Sequence, residues 1–378
     1  MPDTIQRIVD LAIQIQQIAA PTFHESKRAE FVRALFEREG LKNVVMDEVG
    51  NVYGLFSNSA SPTKPIRSGE KTKSKPLVVS AHLDTVFPFE MDLSVRHENG
   101  LLHGVGIGDN SIGVAALIGL IWLIRERKID LKGEVWVVAN VCEEGLGDLR
   151  GMKAIVDRYG RNVLAYLVLE GLALGHVYHR AVGVRRYRIT VKTKGGHSWS
   201  DYGQLSAIHE LAKLVVQLTS IELPKEPRTT MNVGRISGGT SVNVIAHEAS
   251  LELDLRSEGQ AALERLIANV ETIIQEAGRP GLQLELEVVG ARPAGELHPD
   301  HPLILLAEDC VRDQGLEAIL TTGSTDANIP LSKGYPALVL GITRGGGAHT
   351  KDEFIKTGPV AQGMEQLVSF LKQAWSAQ

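Results

Sequence analysis

Cysteine is scarce in this chain, with two in 378 residues, Cys142 and Cys310. Far apart as they are, they exclude a disulfide framework and fit a reducing compartment, read here as the cytoplasm. Aromatic residues make up 5% and the net charge is −5, with no Lys/Arg cluster interleaved with aromatics. That excludes a generally basic surface seeking nucleic acid. No long hydrophobic run occurs either. The longest, Ile112 to Ile124, is interrupted by glycines and is too short to span a bilayer, so no membrane partner is expected. Met1-Pro2-Asp3-Thr4 lacks a basic segment with an apolar one behind it, and no secretory signal is read. No repeat of solenoid period is present. With 43% hydrophobic and 22% charged residues, what remains is a globular protein long enough for two domains.

Apolar side chains recur at helical spacing over 3–20 and 25–38, and Lys42 to Phe56 reads as a hairpin turning at Gly50-Asn51. Ser57 to Lys75, rich in Ser, Pro and Lys, reads as a mobile loop. From Pro76 the pattern alternates: strand at Leu77 to Ser80, helix at Ser111 to Arg125, and strands at Glu134 to Val141 and Val163 to Leu169. Strands apolar on both faces and separated by helices predict an α/β fold, a mostly parallel sheet with helices on both faces. Between 179 and 290 the order becomes β-α-β-β-α-β, the pattern of a ferredoxin-like α+β sandwich. The α/β pattern then resumes with a helix at 302–314, a strand at Ala337 to Leu340 and a closing helix at 358–375. The expected domains are therefore 1–178 with 291–378, and an insert at 179–290.

The chemistry gathers where strands stop. Ala81-His82-Leu83-Asp84, Gly108-Asp109-Asn110, Cys142-Glu143-Glu144-Gly145, Leu169-Glu170-Gly171 and Gly347-Ala348-His349 follow in order, and ligands of such sheets collect at strand carboxyl ends. Neutral imidazoles and ionised carboxylates are metal ligands. Two cations held close together repel, and a bridging carboxylate offsets that. Asp109, in its Gly-Ile-Gly setting, is the candidate bridge. His82 and His349 would cap opposite metals, with Glu170 and Glu144 completing the shells. Asp84, two residues from His82, is placed to accept the second imidazole N–H. Of the adjacent pair, Glu144 binds metal while Glu143 stays free to take a proton from water whose pKa the metal has lowered. Any one of these residues alone reads as a solvated loop residue, and Asp109-Asn110-Ser111 as a helix N-cap. Five such coincidences together are improbable. His176 and His179, three apart on a strand, face opposite sides and are read as structural. His209 is read as a surface or interface residue and Cys142 as a core one.

These motifs resemble the co-catalytic di-zinc exopeptidase and amidohydrolase family that includes peptidase T, glutamate carboxypeptidase, aminoacylase and succinyl-diaminopimelate desuccinylase. The resemblance covers nearly the whole chain. It implies His82, Asp109 and Glu170 on one metal and Asp109, Glu144 and His349 on the other, Glu143 as general base, and Asp84 orienting His82. It also implies that the insert is a dimerisation or lid domain. Its Gly195-Gly196-His197-Ser198 would then carry a His reaching across a homodimer, with Asn243 and Arg256 as substrate contacts. Thr325-Asp326 and Gly345-Gly346-Gly347 resemble substrate-side loops. Asn110 stands where many relatives carry Asp, a change of little weight if only its backbone is used. The expected cofactors are two divalent ions, zinc first, with cobalt or manganese accommodated. The expected substrate is a short peptide or, as the alternative, an N-acyl amino acid. A more distant alternative is an inactive metal-binding or regulatory homologue.

Overall fold

Apolar side chains at helical spacing make α1 (Pro2–Gln16) and α2 (Ser26–Arg38), followed by the hairpin β1 (Lys42–Met46) and β2 (Val52–Phe56). The alternating stretch supplies β3 (Leu77–His82), β4 (Arg96–Glu98), β5 (Leu101–His103), α3 (Ile112–Glu126), β6 (Val135–Asn140), α4 (Arg150–Tyr159), β7 (Tyr166–Glu170) and β8 (His176–Ala181). Then come β9 (Gly183–Lys192), β10 (Gly196–His197), α5 (Ala207–Thr219), β11 (Thr229–Gly238), β12 (Val244–Ile245), β13 (Glu248–Ser257), α6 (Gln260–Ala277) and β14 (Gln283–Arg292). The chain closes with β15 (Gly295–Glu296), α7 (Pro302–Arg312), β16 (Ile319–Gly323), α8 (Asn328–Ser332), β17 (Ala337–Gly341), β18 (Gly345–Gly346), β19 (Phe354–Lys356) and α9 (Val360–Gln373). The structure is a computed structural model that describes residues 2–57 and 74–377, and the loop expected at 57–75 lies almost wholly outside the described residues.

The chain divides into two compact units, Met1–Arg180 with Glu296–Gln378, and Ala181–Gly295. The sequence-based limits of 179 and 290 fall a few residues short of these. β8 runs through 179 to Ala181, and β14 carries the insert on to Arg292.

In the larger unit a nine-stranded sheet has the order β1-β2-β6-β3-β7-β17-β8-β15, with β16 beside β8. The four central strands are mutually parallel. Their side chains are buried almost throughout, which explains why they read as continuous apolar runs. Parallel alignment also puts Asn140, His82, Glu170 and Gly341 together at one carboxyl edge, because His82 pairs with Asn140 and Gly341 with Glu170 in register. His82 and Glu170 are the last residues of their strands rather than the first beyond them. The helical stretch Ile107–Glu126 reaches 20 residues once the turn before α3 is counted, long and apolar enough by length and composition to cross a membrane. It is nonetheless 89% buried inside the unit, the setting of a core helix.

The smaller unit is a four-stranded antiparallel sheet ordered β11-β13-β9-β14. Tyr187, Ile189 and Val191 alternate on β9, and Ala249, Leu251, Leu253 and Leu255 on β13. They pack with Leu211, Leu214 and Leu218 of α5 and Leu263, Leu266 and Val270 of α6. One apolar face under two helices is the ferredoxin-like sandwich expected from the period-2 alternation.

Candidate metal centre

The turn Ile107–Ser111 leaves helical geometry at Asp109 (φ −115°, ψ 87°) and Asn110 (φ −135°, ψ 36°). Asp109 is thereby placed between two imidazoles. Its Oδ1 lies 3.0 Å from His82 Nε2 and its Oδ2 2.9 Å from His349 Nε2. Glu170 Oε2 is 3.8 Å from His82 Nε2, and Glu144 Oε1 is 3.0 Å from His349 Nε2. The sequence-derived ligand sets thus come together as two groups, His82–Asp109–Glu170 and Asp109–Glu144–His349, sharing Asp109. Glu143 offers a carboxylate oxygen within 4.8 Å of the ligand atoms of His82 and Glu144.

Backbone geometry brings these loops close. A Cβ on Gly171 would sit 1.8 Å from the Gly108 carbonyl oxygen, so the Asp109 and Glu170 loops touch main chain to main chain. His349 (φ 65°) and Cys142 (φ 59°) occupy the left-handed region although neither is glycine. Such backbone costs energy and persists where surrounding contacts hold it.

Asp84 does face His82, as an ion-pair partner rather than through the direct hydrogen bond its spacing suggested. Its carboxylate lies 3.7 Å from His82 Nδ1, beyond hydrogen-bond range, and its own backbone carbonyl faces that nitrogen at 3.1 Å. The carboxylate instead accepts the backbone N–H groups of Glu143 (2.9 Å) and Glu144 (2.8 Å) and the Thr22 hydroxyl (3.0 Å). Asp84 therefore ties the strand that ends in His82 to the turn that bears the two glutamates.

The N-cap reading of Asp109-Asn110-Ser111 is also replaced, since no side chain caps α3. The Asn110 side chain is buried and donates to the Leu169 carbonyl at 2.8 Å, bracing the Glu170 strand, so more than its backbone is used. Asp326, expected beside substrate, is fully buried and accepts from Asn140 Nδ2 at 2.6 Å. Cys142 is a core residue whose thiol burial pushes up to about 12. His209 is exposed, and His176 and His179 point to opposite faces of β8.

Charge in the cluster is unbalanced without cations. Hydrogen bonds donated by the His349 ring to the Asp109 and Glu144 carboxylates push His349 up to about 10. Burial opposes charge on His82, yet Asp109 and Glu170 outweigh it and raise its pKa well above the usual imidazole value. Burial likewise opposes ionisation of Asp109, but the two imidazoles hold it below the usual carboxylate range. Burial raises Glu170. A pocket that draws protons onto both imidazoles at neutral pH is one that favours cations.

Several residues here carried no sequence signal. Glu353 accepts the backbone N–H groups of Gly106 (2.8 Å), Gly108 (2.8 Å) and Asp109 (2.9 Å), fixing the bridge loop. Burial pushes its carboxyl up to about 7 against those donors. It comes within reach because β19 pairs with β5 in a small sheet ordered β18-β19-β5-β4, which also carries the loop of His349. Glu25 and Arg28 of the α2 region are buried as well.

In the smaller unit β10 pairs with β12, His197 opposite Val244, and Ser198 N–H donates to the Asn243 carbonyl at 3.0 Å. His197 and Asn243 thus share one exposed ribbon. The N–H groups of Trp199 (3.2 Å) and Ser200 (3.3 Å) donate to His197 Nδ1, which puts the proton of the neutral ring on Nε2. Arg256, on β13, is exposed and donates from Nε to Asp254 at 2.7 Å.

The donor set fits divalent cations. At bonds of about 2.1 Å, neighbouring ligands of one tetrahedral ion lie roughly 3.4 Å apart, and the four imidazole–carboxylate contacts of the cluster fall between 2.9 and 3.8 Å. A parallel-centred α/β sheet with such a cluster at its carboxyl edge offers a candidate two-metal site. The chain belongs to peptidase family M20/M25/M40, whose model matches residues 78–374. It is similar to a tripeptidase of Staphylococcus aureus subsp. aureus Mu50 (21% identity, TM-score 0.80, covering 98% of this chain and 99% of that one). It also resembles a Bacillus subtilis protein described as a dinuclear metal binding peptidase (16%, TM-score 0.68, 100% of both chains). A succinyl-diaminopimelate desuccinylase of Corynebacterium glutamicum is 26% identical over 377 residues, 97% of this chain and 94% of that protein.

Proposed function

We propose that this chain is a two-metal exopeptidase that removes a terminal residue from short peptides, with Glu143 as general base. The observation that carries this reading is the division of Asp109's two oxygens between His82 and His349, with Glu143 beside both sets. His82, Asp109 and Glu170 would hold one ion and Asp109, Glu144 and His349 the other. Bound there, the ions would neutralise the carboxylates, lower the pKa of water and polarise the scissile carbonyl. Zinc suits this donor set, and cobalt or manganese is accommodated.

Glu143, which this reading assigns to neither ion, takes a proton from the attacking water and returns it to the leaving amine. His197, presenting Nε2–H, donates to the developing oxyanion, and the reading has it delivered by the partner subunit of a homodimer. Asn243 and Arg256 contact the substrate, the Arg fork suiting a carboxylate or carbonyl.

A second reading keeps the mechanism and changes the substrate to an N-acyl amino acid. The full-length similarity to a desuccinylase favours it. A panel of di- and tripeptides blocked at either end, assayed beside N-acyl amino acids, separates the two. Cleavage lost on blocking the amino end marks an aminopeptidase, and loss on blocking the carboxyl end a carboxypeptidase. Cleavage of acyl substrates alone overturns the exopeptidase reading in favour of the second. No hydrolysis of any of them with zinc, cobalt or manganese added overturns both.

A further inference from the structure

The turn Cys142-Glu143-Glu144 offers three consecutive backbone N–H groups, and all three are taken by buried carboxylates from elsewhere in the chain. Asp84 takes those of Glu143 and Glu144. Glu25, immediately before α2, takes that of Cys142 through Oε1 at 3.1 Å. The same Oε1 accepts the Phe23 N–H at 3.0 Å and the Cys142 thiol at 3.5 Å. Glu25 is 5% exposed and Asp84 fully buried, so neither acts on solvent or substrate.

Two buried carboxylates side by side need a positive charge. Arg28, one turn further along α2, supplies it: 2% exposed, it interacts electrostatically with both. Burial lowers its pKa to about 10, which leaves it charged at neutral pH. Its guanidinium donates to the carbonyls of Leu83 (2.7 Å), Ile18 (2.9 Å) and Gln16 (3.3 Å). It thereby holds the peptide between His82 and Asp84 as well.

The position that Glu25 grips is the one under strain. Cys142 adopts φ 59° without being glycine, and this single left-handed residue turns the chain from the end of β6 so that Glu143 enters the cluster. An L-residue stays there when its neighbours over-determine it. We propose that Glu25 is a positioning residue for the general base, holding the left-handed turn at Cys142 through its backbone N–H and so fixing where the Glu143 carboxylate sits. The proposal rests on the reading of Glu143 as base, and it makes the start of α2, remote in sequence from every ligand, part of the catalytic geometry.

The test compares Glu25→Gln, Glu25→Asp and Glu25→Ala with the parent and with Glu143→Gln, all metal-loaded. Measured on each are kcat and KM on the best substrate of the panel, metal stoichiometry, and amide hydrogen exchange at Cys142, Glu143 and Glu144. Glu25→Gln keeps a carbonyl acceptor and is expected to stay within about threefold of parent kcat. Glu25→Asp and Glu25→Ala withdraw the acceptor and are expected to lose about 10- to 100-fold in kcat, as small misplacements of catalytic groups do. KM and metal content should hold, while exchange at the three amides quickens. The Asp variant preserves charge and keeps the test open if the Ala variant does not fold. Parent-level kcat in the Asp variant, or loss of metal in step with activity, overturns the proposal. An active Glu143→Gln overturns the base assignment instead, and is told apart because it leaves the exchange result standing.

Discussion

At the scale of single residues, the cluster behaves as a cation site written in hydrogen bonds. Because His349 is raised to about 10 and His82 well above its usual value in the metal-free protein, both carry protons at pH 7 and must lose them to ligate. Metal uptake at pH 7 is therefore expected to release on the order of two protons. Affinity should rise with pH and level off as His349 deprotonates near 10. Zinc titration of chelated protein in weak buffer with a pH indicator measures this, and uptake with no proton release at pH 7 contradicts it. Glu143→Gln should keep both ions and lose about 10²- to 10⁴-fold in kcat, read by metal analysis beside steady-state kinetics. Ligand residue types were legible in the sequence because the carboxylates Asp109, Glu144 and Glu170 each adjoin a glycine and His82 and Glu170 close buried strands. The second partner of each was not. Asp84 and His82 are two apart, a spacing that suggested an imidazole–carboxylate bond, but Asp84 lies past the end of β3, where strand geometry no longer sets direction.

Among secondary-structure elements, the parallel centre was readable because buried strands show as unbroken apolar runs, and the insert because half-buried strands alternate. Short elements were not. β5, β18 and β19 span two or three residues each, too few for any period to register. Yet these bring Glu353 against the Asp109 loop. Glu353→Ala removes the acceptor of three N–H groups there. It is expected to weaken metal binding about 10- to 100-fold, as losses behind ligands do, with α3 and the central sheet intact. Equilibrium dialysis with circular dichroism reports both, and unchanged affinity would show that the loop holds itself.

For the molecule as a whole, the insert enters and leaves through neighbouring strands. Val184 on β9 pairs with Arg292 on β14, and the insert has its own core between two helices and a sheet. A fragment spanning 181–295 is therefore expected to fold alone and to unfold cooperatively. Calorimetry and near-ultraviolet circular dichroism would show this, and a fragment without a melting transition would mean that the sandwich depends on the larger unit. The domain character of this insert was visible in the sequence. Its edges were not, because β8 and β14 run across the points where composition changes.

The small sheet that carries His349 and Glu353 has one more consequence, in the life of the chain rather than its chemistry. The ligand residues begin at His82, but the cluster closes only when residues near position 350 pair back against the 101–109 segment. During synthesis, a growing polypeptide holds His82, Asp109, Glu144 and Glu170 in hand long before it owns the second imidazole. A polypeptide that stops short of position 349 lacks that imidazole and is expected to leave the second group, Asp109–Glu144–His349, without its histidine.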